Sequence, residues 1–284
     1  MSKKEKKKKG IFMKIITILF LIGFALLLYS HFIGTKGLLI REYAVINNKI
    51  PESFEGFKIV HFTDLHYGTT IHKKELTNLV NKINVLKPDL VVFTGDLLDK
   101  HVALNDKQIT DLTEGLNNIE ASIGKYIISG NHDINESYKS VLENLNFKVL
   151  DNSNEFIYYK DNKPILLVGL ADYLEFDADI PKAFEYEASD TEYYTILLTH
   201  APDIISQVND YNYDLVLAGH SHNGQVRAPL IGKLYTPIGS KKYYDEKYEL
   251  DGKTMYISGG IGTSMAPFRF LVKPSFNFYR LYTN

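Results

Sequence analysis

The chain of 284 residues contains 45% apolar and 23% charged residues, which is ordinary for a globular protein and excludes a disordered or collagen-like chain. It has no cysteine, so disulfides, thiolate metal sites and lipid-modified cysteines are excluded, and a metal would have to bind His, Asp, Glu or Asn. Eight lysines and one acid in residues 1–36 leave 24 basic and 33 acidic residues elsewhere, and so acidic a body excludes general nucleic-acid binding, which depends on Lys and Arg.

A lysine-rich start followed by an apolar stretch predicts a membrane-spanning helix at the N-terminus. The residues between Lys14 and Lys36 include no Asp, Glu, Lys or Arg, and a helix of that length matches the hydrocarbon core of a bilayer. Residues 29–33 are too bulky for signal-peptidase cleavage, which favours an uncleaved anchor over a cleaved signal peptide. The predicted organisation is a basic cytoplasmic tail at 1–10, a transmembrane signal anchor at 11–34 and one folded domain at 35–284. The positive-inside rule puts that domain outside the cytoplasm, at the cell membrane.

Short apolar runs bounded by turn residues predict the strands of the folded domain. We expect an edge strand at 39–46 and buried strands at 57–62, 90–94, 126–129, 165–170, 194–199, 215–218, 255–258 and 276–282. Amphipathic periodicity predicts helices at 76–86, 105–118, 137–146 and 202–209. Strands and helices alternate early and strands dominate late, which predicts an α/β fold with helices flanking a layered sheet core.

Five short polar motifs each follow a predicted strand directly. They are Thr63-Asp64-Leu65-His66, Gly95-Asp96-Leu97-Leu98-Asp99, Gly130-Asn131-His132-Asp133, Thr199-His200-Ala201-Pro202 and Gly219-His220-Ser221-His222-Asn223-Gly224-Gln225. One such motif alone is typical of an ordinary turn. Together they hold five of the nine histidines, and turn formation does not select histidine repeatedly. Because ligands of open α/β sheets bind beyond the carboxyl ends of strands, we expect the five turns to meet in one crevice.

The residue types in these motifs point to a metal site. Aspartate, asparagine and histidine without thiolate suit divalent cations such as Mn, Fe or Zn. The motifs offer seven such side chains: Asp64, His66, Asp96, Asn131, His200, His220 and His222. One cation takes about four to six ligands, so seven favour two cations that share a bridging carboxylate. Two cations roughly 3.5–4 Å apart bind the attacking and leaving oxygens of a phosphoryl displacement.

The ordered set Asp-x-His, Gly-Asp-x-x-Asp, Gly-Asn-His-Asp, His and Gly-His-x-His resembles the calcineurin-like metallophosphoesterases, and most of all their membrane-anchored bacterial branch. The resemblance runs from residue 57 to about residue 225 and more loosely to the C-terminus. It implies an αββα sandwich of two central sheets flanked by helices, after the single N-terminal transmembrane helix. It also implies two bound divalent metal ions and a phosphate ester as substrate.

The resemblance also implies a role for each motif residue. The first metal would bind Asp64, His66 and His222, and the second would bind Asn131, His200 and His220. Asp96 would bridge the two metals. His132 would contact the phosphate and protonate the leaving oxygen, and Asp133 would orient the His132 imidazole.

The expected activity is hydrolysis of phosphodiester or pyrophosphate bonds by metal-activated hydroxide, on an envelope or lipid-linked substrate. Two alternatives remain open at this point. One is a pyrophosphatase of a nucleotide-linked sugar lipid, and the other is a non-catalytic membrane-tethered scaffold that keeps metals for structure.

Four polar residues near the motifs are not placed among the metal ligands. His61 lies two residues before Thr63 on a predicted strand, which favours packing in the sheet. Asp99 is expected to hydrogen-bond the loop after Asp96. Arg227 and Arg269 are candidate phosphate ligands, with a surface role as the alternative.

Overall fold

The N-terminal helix stands apart from the packed body. The computed structural model describes residues 3–186 and 192–284, so residues 1–2 of the predicted tail and 187–191 of the predicted folded domain lie outside it. Helix α1 spans Lys3–Tyr29 and continues into a π-helical turn, Ser30–Gly34. The stretch Lys7–Gly34 is a candidate membrane span that contains an 18-residue apolar window with a mean hydropathy of 2.7, and none of that window is buried by the rest of the chain.

The folded body contains four further α-helices and fourteen strands among the described residues. The helices are α2 (Lys73–Leu86), α3 (Asp106–Asn117), α4 (Glu136–Leu142) and α5 (Ile180–Ala183). The strands are β1 (Leu39–Ile46), β2 (Lys58–Phe62), β3 (Leu90–Thr94), β4 (Gly124–Ile128), β5 (Lys148–Val149), β6 (Ser153–Ile157), β7 (Ile165–Gly169), β8 (Thr195–Leu198), β9 (Leu215–Ala218), β10 (Arg227–Ala228), β11 (Gly232–Lys233), β12 (Lys247–Leu250), β13 (Lys253–Ile257) and β14 (Ser275–Tyr282).

Two six-stranded sheets form the centre of the body. The first has the order β1-β14-β2-β3-β4-β5, and the second has the order β12-β13-β9-β8-β7-β6. Strands β2 to β5 run parallel in the first sheet, as do β13, β9, β8 and β7 in the second. Strands β10 and β11 form a separate small hairpin.

Alternating side chains make three apolar layers. Ile59 and Val92 face the second sheet and pack against residues such as Leu217. This layer fills the space between the two sheets. The next residues along the same strands, Val60 and Phe93, point the other way and pack under α2, α3 and α4. The outer face of the second sheet is covered by α5 and the 3₁₀ segment Pro202–Gln207. This is the αββα arrangement.

Most of the predicted elements are confirmed. The predicted buried strands are present with bounds that differ by at most two residues, and β1 is the edge strand expected at 39–46. The helix predicted at 137–146 ends at Leu142, before the Asn-rich residues 143–146, since asparagine favours turns over helix interiors. The helix predicted at 202–209 is a 3₁₀ helix ending at Gln207.

Several elements have no counterpart in the sequence prediction. Strands β5, β10 and β11 are only two residues long, which is too short to show a period. Strand β6 (SNEFI) and strand β12 (KYEL) are half-exposed edge strands rich in polar residues, so they lack the continuous apolar run of a buried strand.

Candidate metal centre

The five polar motifs lie at the carboxyl ends of parallel strands from both sheets. They follow β2, β3 and β4 in the first sheet and β8 and β9 in the second. A backbone hydrogen bond from Asp64 N–H to Gly95 O (2.9 Å) joins the turn after β2 to the turn after β3. Another runs from Gly219 N–H to His200 O (3.0 Å) and joins the two turns of the second sheet. The predicted crevice therefore exists, and it lies where the two sheets meet.

The backbone of these turns adopts a conformation that side chains normally avoid. Five of the predicted ligands have a positive φ: Asp64 (52°), His66 (42°), Asp96 (59°), His220 (65°) and His222 (47°). A left-handed backbone at a non-glycine residue costs energy, and such residues cluster at functional sites. The φ values turn these side chains away from the strand direction and towards the crevice.

The glycine that opens the third motif is required by close packing. A Cβ added at Gly130 would collide with the backbone nitrogen and the carboxylate of Asp96. Only glycine allows the turn after β4 to approach the turn after β3 so closely. The Gly-Asn-His-Asp motif thus brings Asn131 and His132 to the side of Asp96.

The first cluster consists of Asp64, His66 and His222. The Nε2 atoms of His66 and His222 lie 3.2 Å apart, and Asp64 Oδ1 lies 3.2 Å from His222 Nε2. All three side chains are buried, and Asp64 Oδ1 has no hydrogen-bond partner among the described residues. Two imidazole nitrogens and an orphaned carboxylate oxygen that converge in this way fit a divalent cation.

The second cluster consists of Asp96, His200, His220 and Asn131. His200 Nε2 lies 3.3 Å from Asp96 Oδ2, 3.2 Å from His220 Nδ1 and 3.2 Å from Asn131 Oδ1. The first three side chains are buried and form a second group with metal-ligand spacing. This donor set of nitrogen and oxygen atoms without sulfur again fits a divalent cation.

Asp96 joins the two clusters. Its Oδ2 atom lies 3.5 Å from His66 Nε2 in the first cluster and 3.3 Å from His200 Nε2 in the second. Its Oδ1 atom accepts a hydrogen bond from His132 N–H (2.8 Å). One oxygen thus fixes the carboxylate, and the other points between the clusters, which is the geometry required of a bridging ligand. We call the seven residues Asp64, His66, Asp96, Asn131, His200, His220 and His222 the cleft floor.

Hydrogen bonds on the outer side of the floor select which ring nitrogens face inward. His200 Nδ1 donates to Thr94 O (2.7 Å), and His220 Nε2 donates to Ile238 O (2.6 Å). In a neutral imidazole the other nitrogen then carries the lone pair, which leaves His200 Nε2 and His220 Nδ1 free to bind a cation.

Burial and mutual electrostatics favour the metal-binding protonation states of His66, His220 and Asp64. At His200 burial lowers the pKa, but the adjacent Asp96 carboxylate raises it well above its usual value. Burial lowers the pKa of His66 to about 3, and burial together with the neighbouring His200 lowers the pKa of His220 to about 4. Burial opposes ionisation of Asp64, yet the adjacent His222 holds the pKa of Asp64 below its usual value. Neutral imidazoles and charged carboxylates are the forms that bind metals.

His132 lies at the edge of the floor, with its ring centroid 5.0 Å from that of His66. Lys100 N–H donates to His132 Nδ1 (3.2 Å), which leaves the proton of the neutral ring on Nε2. The carboxylate beside His132 is that of Asp99, with Oδ2 at 3.4 Å from Nδ1. Asp99 also accepts a hydrogen bond from His101 N–H, as expected for a residue that shapes this loop.

Asp133 does not have the expected position beside the His132 ring. Its carboxylate instead accepts backbone N–H bonds from Asp96 (2.8 Å), Leu97 (2.9 Å) and Gly130 (2.9 Å). The reason is that residues 130–133 form a tight turn, in which successive side chains point in different directions. Asp133 thus braces the turns that carry Asp96 and Asn131, and the expectation that it orients His132 is corrected.

The two arginines that the sequence offered as phosphate ligands lie in different environments. Arg269 is fully buried, and its Nη2 atom lies 3.1 Å from His222 Nδ1 and 2.6 Å from Gly262 O. Its Nη2 atom donates to the carbonyls of Gly260 and Gly262, so the guanidinium packs behind the His222 ring, which is neither a surface role nor a phosphate contact. Arg227 forms an ion pair with Asp245.

His61 lies outside both clusters, as the strand alternation predicts. It is buried, and its Nε2 atom lies 2.9 Å from Thr94 Oγ1 and its Nδ1 atom 3.3 Å from the Tyr279 hydroxyl. The supporting groups that the sequence did not reveal are the carbonyls of Thr94 and Ile238 and the Arg269 guanidinium. A backbone carbonyl has no signature in the sequence, so these two partners could not be predicted. Asp99, in contrast, belongs to the Gly-Asp-x-x-Asp motif and was visible in the sequence.

The floor lies in a cleft of about 690 Å³. Its polar lining includes Asp96, Asn131 and His132, and its other walls include Leu234, Tyr235 and Met265. The site is thus a buried polar floor below a largely apolar opening, which suits a ligand with a charged group attached to a less polar remainder.

Comparison with known proteins gives consistent findings. The family model for calcineurin-like phosphoesterases matches residues 57–224. An uncharacterized metallophosphoesterase of Bacillus subtilis is 33% identical over 264 residues, 91% of this chain and 89% of the relative. A transmembrane protein with metallophosphoesterase domain from Danio rerio is 30% identical over 238 residues, 78% of this chain and 52% of the relative. Among solved structures, NAD nucleotidase of Haemophilus influenzae aligns with a TM-score of 0.47 and 18% identity over 72% of this chain and 45% of that one.

Proposed function

Because the chain belongs to the calcineurin-like phosphoesterase family and is thus a metal-dependent phosphoesterase, we propose that it is a membrane-anchored two-metal hydrolase of phosphodiester or pyrophosphate bonds. Its substrate is an envelope or lipid-linked phosphate compound. The proposed organisation is a basic tail at 1–10, an anchor at 11–34 and a catalytic domain at 35–284.

One observation carries the two-metal proposal, namely the position of Asp96 Oδ2 between the two histidine clusters. Asp64, His66 and His222 would hold the first cation. Asn131, His200 and His220 would hold the second, and Asp96 would be shared between them. When bound, two divalent cations, with Mn, Fe or Zn as candidates, supply Lewis acidity and lower the pKa of a coordinated water.

The residues of the chain perform the remaining tasks. His132 carries its ring proton on Nε2, because Lys100 N–H occupies Nδ1, and it delivers that proton to the leaving oxygen. The hydrogen bond from His132 N–H to Asp96 Oδ1 fixes the position of the proton donor relative to the bridging carboxylate. The Asp133 carboxylate holds the two turns together, so these groups keep their positions during turnover.

The membrane anchor supports the proposed substrate class. The stretch Lys7–Gly34 is long and apolar enough to span a bilayer, and the zebrafish relative is named as a transmembrane protein. The lysines before it favour a cytoplasmic tail, which puts the catalytic domain outside the cytoplasm. A catalytic domain tied to that surface meets phosphate groups of the envelope.

The test is hydrolysis by the full chain in detergent, first stripped with a chelator and then supplied with Mn²⁺. We expect turnover of an aryl phosphodiester and of a nucleotide pyrophosphate to disappear with the chelator and to return with Mn²⁺. An aryl phosphomonoester should be the poorer substrate. Protein that binds two equivalents of metal and hydrolyses none of these compounds would contradict the proposal and favour a metal-holding scaffold.

The orientation has its own test. Cysteine variants at residue 8 in the tail and at Ile46 in the body, in intact cells, should react with a membrane-impermeant thiol reagent only at Ile46. Labelling at residue 8 alone would put the catalytic domain in the cytoplasm. That result would favour a nucleotide-linked sugar lipid as the substrate.

A further inference from the structure

The N-terminal helix is joined to the body at one particular loop. Arg269 N–H donates to Ser30 O (3.0 Å), and His31 Nδ1 donates to Pro267 O (2.9 Å). The Tyr29 ring meets the Phe270 ring edge-on at 6.0 Å between centroids. These contacts seat residues 267–270 against the end of the helix.

The junction lies within the apolar segment. Phe32 and Ile33, in the same turn as His31, remain 64% and 53% exposed, and the candidate membrane span continues to Gly34. A side chain of this kind is stable when lipid covers it. The loop at 267–270 therefore contacts the anchor at the level where the bilayer surface would begin.

The same loop also forms part of the cleft wall. Ser264 and Met265, just before it, line the cleft, and Gln225 joins the floor segment to it through Ser264 N–H (3.0 Å). Phe270 is bridged to Val226, directly before the hairpin β10–β11. One strand spacing and the four residue steps from Val226 then put Leu230, at the hairpin tip, within about 20 Å of Phe270.

Exposed apolar side chains are concentrated around this loop and hairpin. Among the large apolar residues described from residue 35 onward, eight have an exposed fraction of 60% or more. Six of them lie on the cleft opening and its neighbours: Leu230, Ile231, Leu234, Ile238, Met265 and Leu271. We call these six residues the apolar rim. Scattered exposed apolar residues are normal, whereas a concentration of them marks a binding surface.

We propose that the apolar rim is a second membrane contact, in which the hairpin tip and the loop around Met265 enter the boundary between headgroups and acyl chains. The occupant is the bilayer that holds α1, because the rim continues from the helix junction through hydrogen-bonded backbone. Partial burial of apolar side chains at that depth is favourable. The inference rests on the proposed membrane anchor, and it places the cleft opening at headgroup level, where the phosphate of a lipid-linked substrate lies.

The absence of cysteine allows a direct test with single-cysteine variants of the full chain. Leu230→Cys and Met265→Cys report on the rim, and Leu21→Cys reports on the anchor. Ile46→Cys is the matched control, because it is 62% exposed and lies at the opposite end of the first sheet, about 23 Å along β1. Each variant carries an environment-sensitive fluorophore in phosphatidylcholine–phosphatidylglycerol vesicles, with or without spin-labelled phosphatidylcholine.

Quenching by the spin label at residues 21, 230 and 265, by at least about twofold, with none at residue 46, is the expected result. If residue 21 is quenched but residues 230 and 265 are quenched no more than residue 46, the rim proposal is overturned and the anchor proposal stands. If residue 21 also escapes quenching, both the anchor and the rim are wrong.

Discussion

The cleft floor and the apolar rim around the cleft opening are built in opposite ways. The floor is polar, buried and fixed by backbone hydrogen bonds at the ends of five strands. The rim is apolar and exposed, and it lies on a short hairpin and on loops. Asp96, for example, is fixed by the hydrogen bond from His132 N–H to its Oδ1 atom, whereas the Leu230 side chain is fully exposed.

This difference separates chemistry from recognition. Rigid strand ends can hold metal ligands within the small tolerances that catalysis requires. Loops tolerate change and adapt to the partner that a particular protein meets. We infer that the floor determines the reaction, whereas the rim determines where the reaction takes place.

The largest expected effect comes from Asp96→Asn on the floor. The amide removes the charge that both clusters share, so turnover of an aryl phosphodiester should fall by at least about 10³-fold. Metal analysis should find fewer than two equivalents per chain. Asp111→Asn, which removes a surface ion pair with Lys73, is the control and should retain activity. Two tightly held metals and unchanged turnover in Asp96→Asn would refute the bridging role.

The next effect comes from His132→Ala, which should lower turnover by about 10²- to 10³-fold while both metals stay bound. If His132 protonates the leaving oxygen, the loss should be greater for an alkyl ester than for a nitrophenyl ester, whose leaving group needs no proton. His101→Ala, from the same cleft lining, should change turnover by less than about twofold. Equal losses for both esters would argue against a proton donor.

A smaller effect is expected for Arg269→Lys. Lysine keeps the charge but lacks the planar guanidinium that packs behind the His222 ring and donates to Gly260 O and Gly262 O together. The Mn²⁺ concentration for half-maximal activity should rise by about 10- to 100-fold, whereas turnover at saturating Mn²⁺ recovers. Arg227→Lys is the control, and thermal unfolding verifies the fold of both variants. An unchanged Mn²⁺ requirement in Arg269→Lys would show that the guanidinium serves packing alone.

The smallest effect is expected on the rim. The double variant Leu230→Ser and Ile231→Ser removes two exposed apolar side chains that do not line the cleft. In detergent, with a soluble aryl phosphodiester, turnover should stay within about twofold of the parent chain. A loss comparable to that of His132→Ala would mean that the hairpin belongs to the catalytic floor.

The sequence could single out the floor residues because their side-chain types alone point to metal binding. Asp64, His200 and His220 were identified from motif and strand position, and the structure places Asp64 in the first cluster and the two histidines in the second. Asp133 shows the limit, since adjacency in sequence did not give the direction of its side chain within a tight turn. Arg269 shows another, because burial behind His222 depends on how distant segments pack.

The apolar rim could not be predicted from the sequence, for a different physical reason. Leu230 and Met265 are common apolar residues, and nothing in a sequence distinguishes an exposed leucine from a core leucine. They indicate a membrane contact only because they lie near the helix junction at Ser30 and Arg269, and that proximity exists only in the folded chain.

The most direct test of the two-metal floor is an anomalous difference map from crystals of the Mn²⁺-loaded chain. The account predicts two peaks roughly 3.5–4 Å apart, with Asp96 between them. One peak should contact Asp64, His66 and His222, and the other should contact Asn131, His200 and His220. A single peak, or peaks held by other residues, would contradict it.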